Sequence, residues 1–168
     1  APTRAPRELA NALRLAKAGV PTPEVVAYAV YPAMRLFARS DVVTRLVAGA
    51  PFPEAWRGAA AGQPRLEIVR ALAQLLRTLR EAGALHPDLN LRNVLVTTSA
   101  SGPIACVLDV DRIEFGEPRS NTIGRRNLAR VLRSARKWHR AWGVDLDNHD
   151  TAHVLAESLL SAPPRRPS

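Results

Sequence analysis

Three side chains with oxygen chemistry stand where loops meet apolar runs: Asp88, Asn93 and Asp109. Asp88 follows the turn-forming His86-Pro87 pair in HPDLNLRNVLV (86–96), Asn93 opens the run NVLVTT, and Asp109 closes the run IACVLDV (104–110). The turn signal SASGP lies between the two runs, so they read as a short hairpin. A hairpin sets the start of one strand beside the end of the other. Asn93 and Asp109 can therefore share an edge, with Asp88 reaching in from the loop. Two such oxygen ligands suit a hard cation such as Mg2+, which keeps waters and substrate phosphates as its other ligands. The third group, Asp88, is then free to accept the proton of an attacking hydroxyl. Phosphoryl transfer needs this set: an aligned hydroxyl, a metal against the developing charge, and little covalent work by the protein. Taken singly, Asp88 and Asn90 could simply make turns and Asp109 could open a loop. The spacing of all three in this strand context is what favours chemistry.

The elements around them follow from periodicity. The segment RELANALRLAKAG (7–19) reads as a helix ending on Gly19, with Leu9, Leu13 and Ala16 at helical spacing. VPTPE is a loop. Residues 25–31 and 35–47 are β-rich and read as an antiparallel pair bent near Ser40, followed by a proline-broken connector, AGAPFPEAW. Residues 64–83 form the clearest helix. Its stripe is Ile68, Leu72, Leu75, Leu76 and Leu79, with Arg65, Arg70, Arg77 and Arg80 mostly off it and Gly83 at its close. After the hairpin, a second long helix runs to Gly143 with Leu128, Val131, Leu132, Ala135, Trp138 and Trp142 inward, capped by Asn121 or Thr122. A short helix near 150–160 and a proline-arginine tail, expected to be disordered, finish the chain. Helices and strands are segregated, which predicts an α+β fold.

The totals set the outer limits. The chain has 168 residues, 46% of them hydrophobic, enough for one domain with its own core. Cys106 is the single cysteine, so no disulfide forms within the chain; a buried thiol is expected. No apolar run approaches a membrane span. The net charge of +9 favours anionic partners, among them a phosphorylated glycolipid, a membrane face, nucleotide or nucleic acid. Lysine occurs only at 17 and 137, so the charge also reflects an arginine-rich composition. Arg119 to Arg140 holds eight basic residues and no acidic one, either a solvated helix face or a surface for phosphates or lipid.

HPDLNLRN resembles the catalytic loop of the protein-kinase-like fold, with Asn90 where protein kinases usually carry lysine. LDVDR resembles that fold's metal-binding aspartate segment, with Val110 and Asp111 in place of Phe-Gly. Together with NLARVLRSARK and RELANALRLAKAGVPTPEVVAY, these motifs are similar to one branch, the 3-deoxy-D-manno-octulosonic acid (Kdo) kinase and lipopolysaccharide kinase family of Gram-negative bacteria, over roughly residues 7–140. The resemblance implies an ATP- and Mg2+-dependent kinase. Its substrate would be a Kdo-bearing lipid A glycolipid at the cytoplasmic face of the inner membrane. It implies that Asp88 is the catalytic base, that Asn93 and Asp109 hold Mg2+, that Glu8 pairs with an ATP-positioning lysine, and that His86 braces the loop. It assigns no chemical role to Asp111 or Arg112. It also implies a division into a partial small lobe (1–50), a helical large lobe (51–162) and a tail (163–168).

One departure accompanies the match. In that fold a Gly-rich loop and a lysine strand precede the first helix. No lysine precedes Glu8 here, and no G-x-G-x-x-G occurs in the sequence. The expectation is a domain lacking its first strands, with weak nucleotide binding and negligible turnover by residues 1–168 alone. Two rival readings stay open. One is a small-molecule phosphotransferase related to aminoglycoside or choline kinases. The other is a non-enzymatic remnant or basic nucleic-acid binder, against which stand an aromatic content of 5% and the lack of a recognised motif. DLDNHD (145–150) lacks the glycine and glutamate of a calcium loop, and His149 with His153 lacks further zinc ligands.

Overall fold

The computed structural model describes residues 4–33 and 37–159. Helix α1 (Arg4–Lys17) is followed by strands β1 (Val25–Ala33), β2 (Phe37–Thr44) and β3 (Ala50–Pro51), then helices α2 (Phe52–Gly58) and α3 (Gln63–Glu81). Strands β4 (Ala84–Leu85), β5 (Val94–Ser99), β6 (Gly102–Val107) and β7 (Glu114–Phe115) come next, then helices α4 (Asn121–Trp142) and α5 (His149–Glu157). Short 3-10 turns at Leu91–Asn93 and Val110–Arg112 flank the β5–β6 hairpin. The architecture is α+β. The expected tail at 163–168 and Met34 lie outside the described residues.

Helix α3 is the core's axis. Ile68, Leu72, Leu75, Leu76 and Leu79 are all buried, as their spacing predicts. Each such burial is worth about 1.5–3 kcal/mol before chain entropy is counted. Against expectation, Arg80 is buried too, at 1% exposure. Its guanidinium donates to the Leu159 carbonyl, and its stem fits because Gly124 has no side chain: a Cβ there would meet Arg80 Cδ at 2.9 Å. Periodicity does not separate Arg80 from Arg65, Arg70 and Arg77, because its acceptor arrives from the far end of the chain. Gly83 ends the helix with φ +65, and a Cβ would meet the Gly116 carbonyl oxygen at 2.5 Å.

Three other local expectations are corrected. Helix α1 buries Ala5, Ala12 and Leu15, while Leu13 is 62% exposed. Asn11 sets that rotation: its Nδ2 donates to the carbonyls of Val110 at 2.7 Å and Asp111 at 3.3 Å. Residues 52–56 of the supposed connector fall in helix α2, with proline in the first turn, where its missing N–H costs nothing. Its Phe52 and Trp56 stack at 6.2 Å in the core. Helix α4 is capped by Ser120 rather than Asn121 or Thr122.

Strands β1 and β2 pair antiparallel, with Val30 opposite Ser40; the irregularity falls between Val25 and Ala27 and not at Ser40. The β5–β6 hairpin pairs Val94 with Val107, and β3 adds to β5. Cys106 is buried, and burial pushes its thiol pKa up.

Candidate active site

The β5–β6 register decides what stands at the hairpin's open end. Val94 faces Val107, so Asn93 and Leu108 are the next residues out, and the Leu108 N–H donates to the Asn93 carbonyl at 2.9 Å. Strand β6 stops at Val107, so Asp109 lies two residues past its end rather than in it. Asp109 adopts the left-handed conformation, φ 54 and ψ 51, and leads into the Val110–Arg112 turn. Aspartate tolerates this region better than most residues, but it is still a strained position.

The loop of residues 86–93 is assembled from polar contacts around one carbonyl. The oxygen of Asp88 accepts from Asn90 Nδ2 at 3.1 Å and from Asn93 Nδ2 at 3.2 Å. Asn90 Oδ1 accepts from the Arg92 N–H at 2.9 Å and starts the Leu91–Asn93 turn. Because Asn93 spends its nitrogen on Asp88, its Oδ1 remains as the atom able to face a cation.

His86 joins this loop to Asp109. The Asp88 N–H donates to His86 Nδ1 at 3.2 Å, so Nδ1 must accept. The proton therefore sits on Nε2, which donates to the Leu108 carbonyl at 3.0 Å. Burial lowers the His86 pKa; the Leu108 bond and the charges of Asp88, Asp109 and Asp111 oppose that shift. Leu108 is thus held at both its N–H and its C=O, one residue before Asp109. The bracing role expected of His86 has this geometry.

Asp88 points its carboxylate outward. Its side chain is 53% exposed, and Oδ2 accepts from Arg112 Nη1 at 2.5 Å. Arg112, to which the family resemblance assigns no role, has Asp88 as its partner. Asp111 is buried at 9% exposure beside the Asn11 anchor.

One cavity lies beside Asp109 and another beside Asp88. The first, of about 180 Å³, is lined by Glu8, Thr22, Thr44, Asp109 and Val110, among others. Glu8 belongs there because it shares a helical face with Asn11, Ala12 and Leu15, the face that packs on the Val110–Arg112 turn. Glu8 and Asp109 are thus brought to one cleft. The other cavity, of about 410 Å³, is lined by Pro87, Asp88, Leu89 and Asn90 and by Arg130, Arg133, Ser134 and Lys137 of α4.

Helix α4 is stapled to the loop on both sides of Asp88. Asn127 Oδ1 accepts from the His86 N–H at 3.1 Å and its Nδ2 donates to the Ala84 carbonyl at 2.9 Å. Ser134 Oγ accepts from the Leu91 N–H at 3.0 Å. Sequence analysis missed Asn11, Asn127 and Ser134. For the last two a signal existed: Asn127 and Ser134 interrupt the buried face that carries Val131 and Ala135.

The rejected metal-like strings have local explanations. Asp145 Oδ1 accepts from the Asp147 N–H at 3.1 Å, Asn148 caps α5, and His153 lies 3.7 Å from Glu157. Trp138 and Trp142 meet edge to face at 5.3 Å and pack partly buried against the core.

Asn93 and Asp109 offer oxygen atoms of the kind that could hold a hard cation, and Asp88 offers a carboxylate that could accept a proton. Among solved structures, that of WaaP in complex with acyl carrier protein shares this fold, with a TM-score of 0.68 and 24% identity over 95% of this chain and 67% of that one. A comparison with the curated proteins gives no significant match. The sequence matches the profile of the lipopolysaccharide kinase (Kdo/WaaP) family over residues 1–155, and the chain belongs to that family.

Proposed function

We propose that this chain carries the catalytic loop and metal-holding hairpin of an ATP-dependent kinase that phosphorylates a hydroxyl of Kdo in the lipopolysaccharide inner core. The observation that carries the reading is the hydrogen-bonded unit of His86, Asp88, Asn93 and Leu108, which ties the candidate base to the candidate metal ligands through direct contacts. In the proposed step the acceptor hydroxyl attacks the γ-phosphorus of ATP. Its proton passes to the Asp88 carboxylate, the bond to the β,γ-bridging oxygen breaks, and ADP leaves. Mg2+ held by Asn93 Oδ1 and the Asp109 carboxylate would neutralise charge on the phosphates. Glu8, in the cleft with Asp109, belongs to the nucleotide side.

On this reading residues 1–50 contribute to a small lobe and 51–162 to the large lobe. The substrate places the enzyme at the cytoplasmic face of the inner membrane. No described helix is long and apolar enough to cross a membrane; the contact proposed with the anionic bilayer surface is peripheral.

The test is transfer of labelled γ-phosphate to a Kdo-bearing lipid A precursor by the full-length natural protein. Asp88→Ala should lower turnover about 10²- to 10⁴-fold, the usual worth of a positioned base. Its circular dichroism should not change, because the side chain is 53% exposed. Near-normal turnover in this variant would remove Asp88 from the mechanism. A panel of neutral and cationic acceptors separates the reading from the aminoglycoside- and choline-kinase alternative.

A further inference from the structure

We propose that Arg130, Arg133 and Lys137 form an anion site for the acceptor, gripping a carboxylate or phosphate on the sugar so that a neighbouring hydroxyl rests at Asp88. The proposal rests on the reading of Asp88 as the base. It adds the recognition chemistry that this reading lacks.

Four observations carry it. First, the three cations stand at i, i+3 and i+7 on α4, the spacing of a single helix face, and all line the cavity of about 410 Å³ that holds Asp88. That volume lies within the range of roughly 300–1,000 Å³ usual for small-molecule sites. Second, their position relative to Asp88 is fixed. Ser134, on the same face, is buried and bonds the Leu91 N–H, while Asn127 about two turns earlier bonds the His86 N–H.

Third, neighbouring cations are committed elsewhere. Arg112 pairs with Asp88, Arg136 with Asp147 at 3.5 Å, and Arg92 lies over the Trp138 ring. Among the described residues, Arg130, Arg133 and Lys137 pair with no carboxylate. Three positive charges thus face one negative charge in a concave site, and their mutual repulsion is relieved by a bound anion. Fourth, Glu8 and Asp109 line the other cavity, which shares no lining residue with this one. The α4 cations therefore lie on the acceptor side of the loop and not on the side of the proposed metal. A solvated helix face has no reason to converge on a cavity around the candidate base.

The experiment is calorimetric titration of the full-length protein with three probes: Kdo for carboxylate, mannose 6-phosphate for phosphate, and neutral mannose. At least one charged sugar should bind, more weakly as salt rises, and mannose should bind roughly 10-fold less tightly or worse. The stronger charged probe identifies which anion the site prefers. Arg133→Gln and Arg130→Gln should each raise the Kd about 10-fold, the worth of one charge-assisted hydrogen bond, and Lys137→Gln somewhat less. In turnover assays the same changes should raise KM for the acceptor and leave KM for ATP unchanged. Arg133 and Lys137 are exposed, so their variants keep the test open if Arg130→Gln fails to fold.

Equal binding of mannose and the charged sugars would overturn the proposal. So would unchanged sugar affinity in the Arg133→Gln/Lys137→Gln double variant, or residue dependence seen only with phosphatidylglycerol vesicles. Asp88→Asn separates the two readings. Retained turnover there would sink the base assignment, whereas lost turnover with retained anion binding supports both.

Discussion

Replacing Asn127 with leucine tests the idea that α4 positions the catalytic loop. Asn127 is 1% exposed and makes two hydrogen bonds, accepting from the His86 N–H at 3.1 Å and donating to the Ala84 carbonyl at 2.9 Å. Leucine keeps the branching at Cγ and has no polar atoms, and its bulkier methyl groups add to the cost. The His86 N–H then loses its acceptor in a dry site, which costs about 1–3 kcal/mol, and the lost bond to Ala84 adds about 1 kcal/mol. The expected destabilisation is about 2–4 kcal/mol, a large part of a typical domain's stability of about 5–15 kcal/mol. Urea titration of the full-length protein should show the midpoint falling with an unchanged slope. Because His86 bonds both Asp88 and Leu108, turnover should fall even where the variant remains folded. A loss below about 0.5 kcal/mol, the size of an ordinary surface effect, together with normal turnover, would refute the stapling argument.

Other outcomes follow from the same geometry. Asp109→Asn should weaken the Mg2+ dependence of nucleotide binding, and Asn93→Ala should do so to a smaller degree because a neutral ligand contributes less charge; wild-type Mg2+ titration curves in both would rule out the shared site. The His86 pKa is lowered on folding, so below its ordinary value of 6.5 the unfolded chain binds more protons than the folded one. Stability from this residue is therefore complete above that value and is lost as the pH falls beneath it, so melting temperature should drop between pH 7 and pH 5 more steeply than in His86→Gln; parallel curves would contradict the buried neutral imidazole. Arg112→Gln should change stability by less than about 1 kcal/mol, since its pair with Asp88 is exposed, yet should lower turnover by freeing the carboxylate; a large loss of stability without a kinetic effect would show that Arg112 is structural.

How much was written locally can be judged residue by residue. The stripe of α3, the β5–β6 hairpin and the spacing of Asp88, Asn93 and Asp109 are short-range patterns, and a short-range pattern is what a sequence displays directly. Helix, strand and turn signals depend on neighbours within a few positions, so the α+β class and the β5–β6 hairpin are legible in the sequence. The face α1 buries was not, because Asn11 finds its acceptors about a hundred residues away, at Val110 and Asp111. Arg80 was misread for the same reason: its acceptor is Leu159. Asn127 and Ser134 interrupt an apolar face, and only the docking of α4 on the loop makes them anchors. The basic helix was likewise ambiguous, since composition states how many charges there are but not which of them meet a cavity. Tertiary structure decided these points because a buried polar group must find its partner wherever the fold brings one, and that partner is seldom a neighbour in the chain.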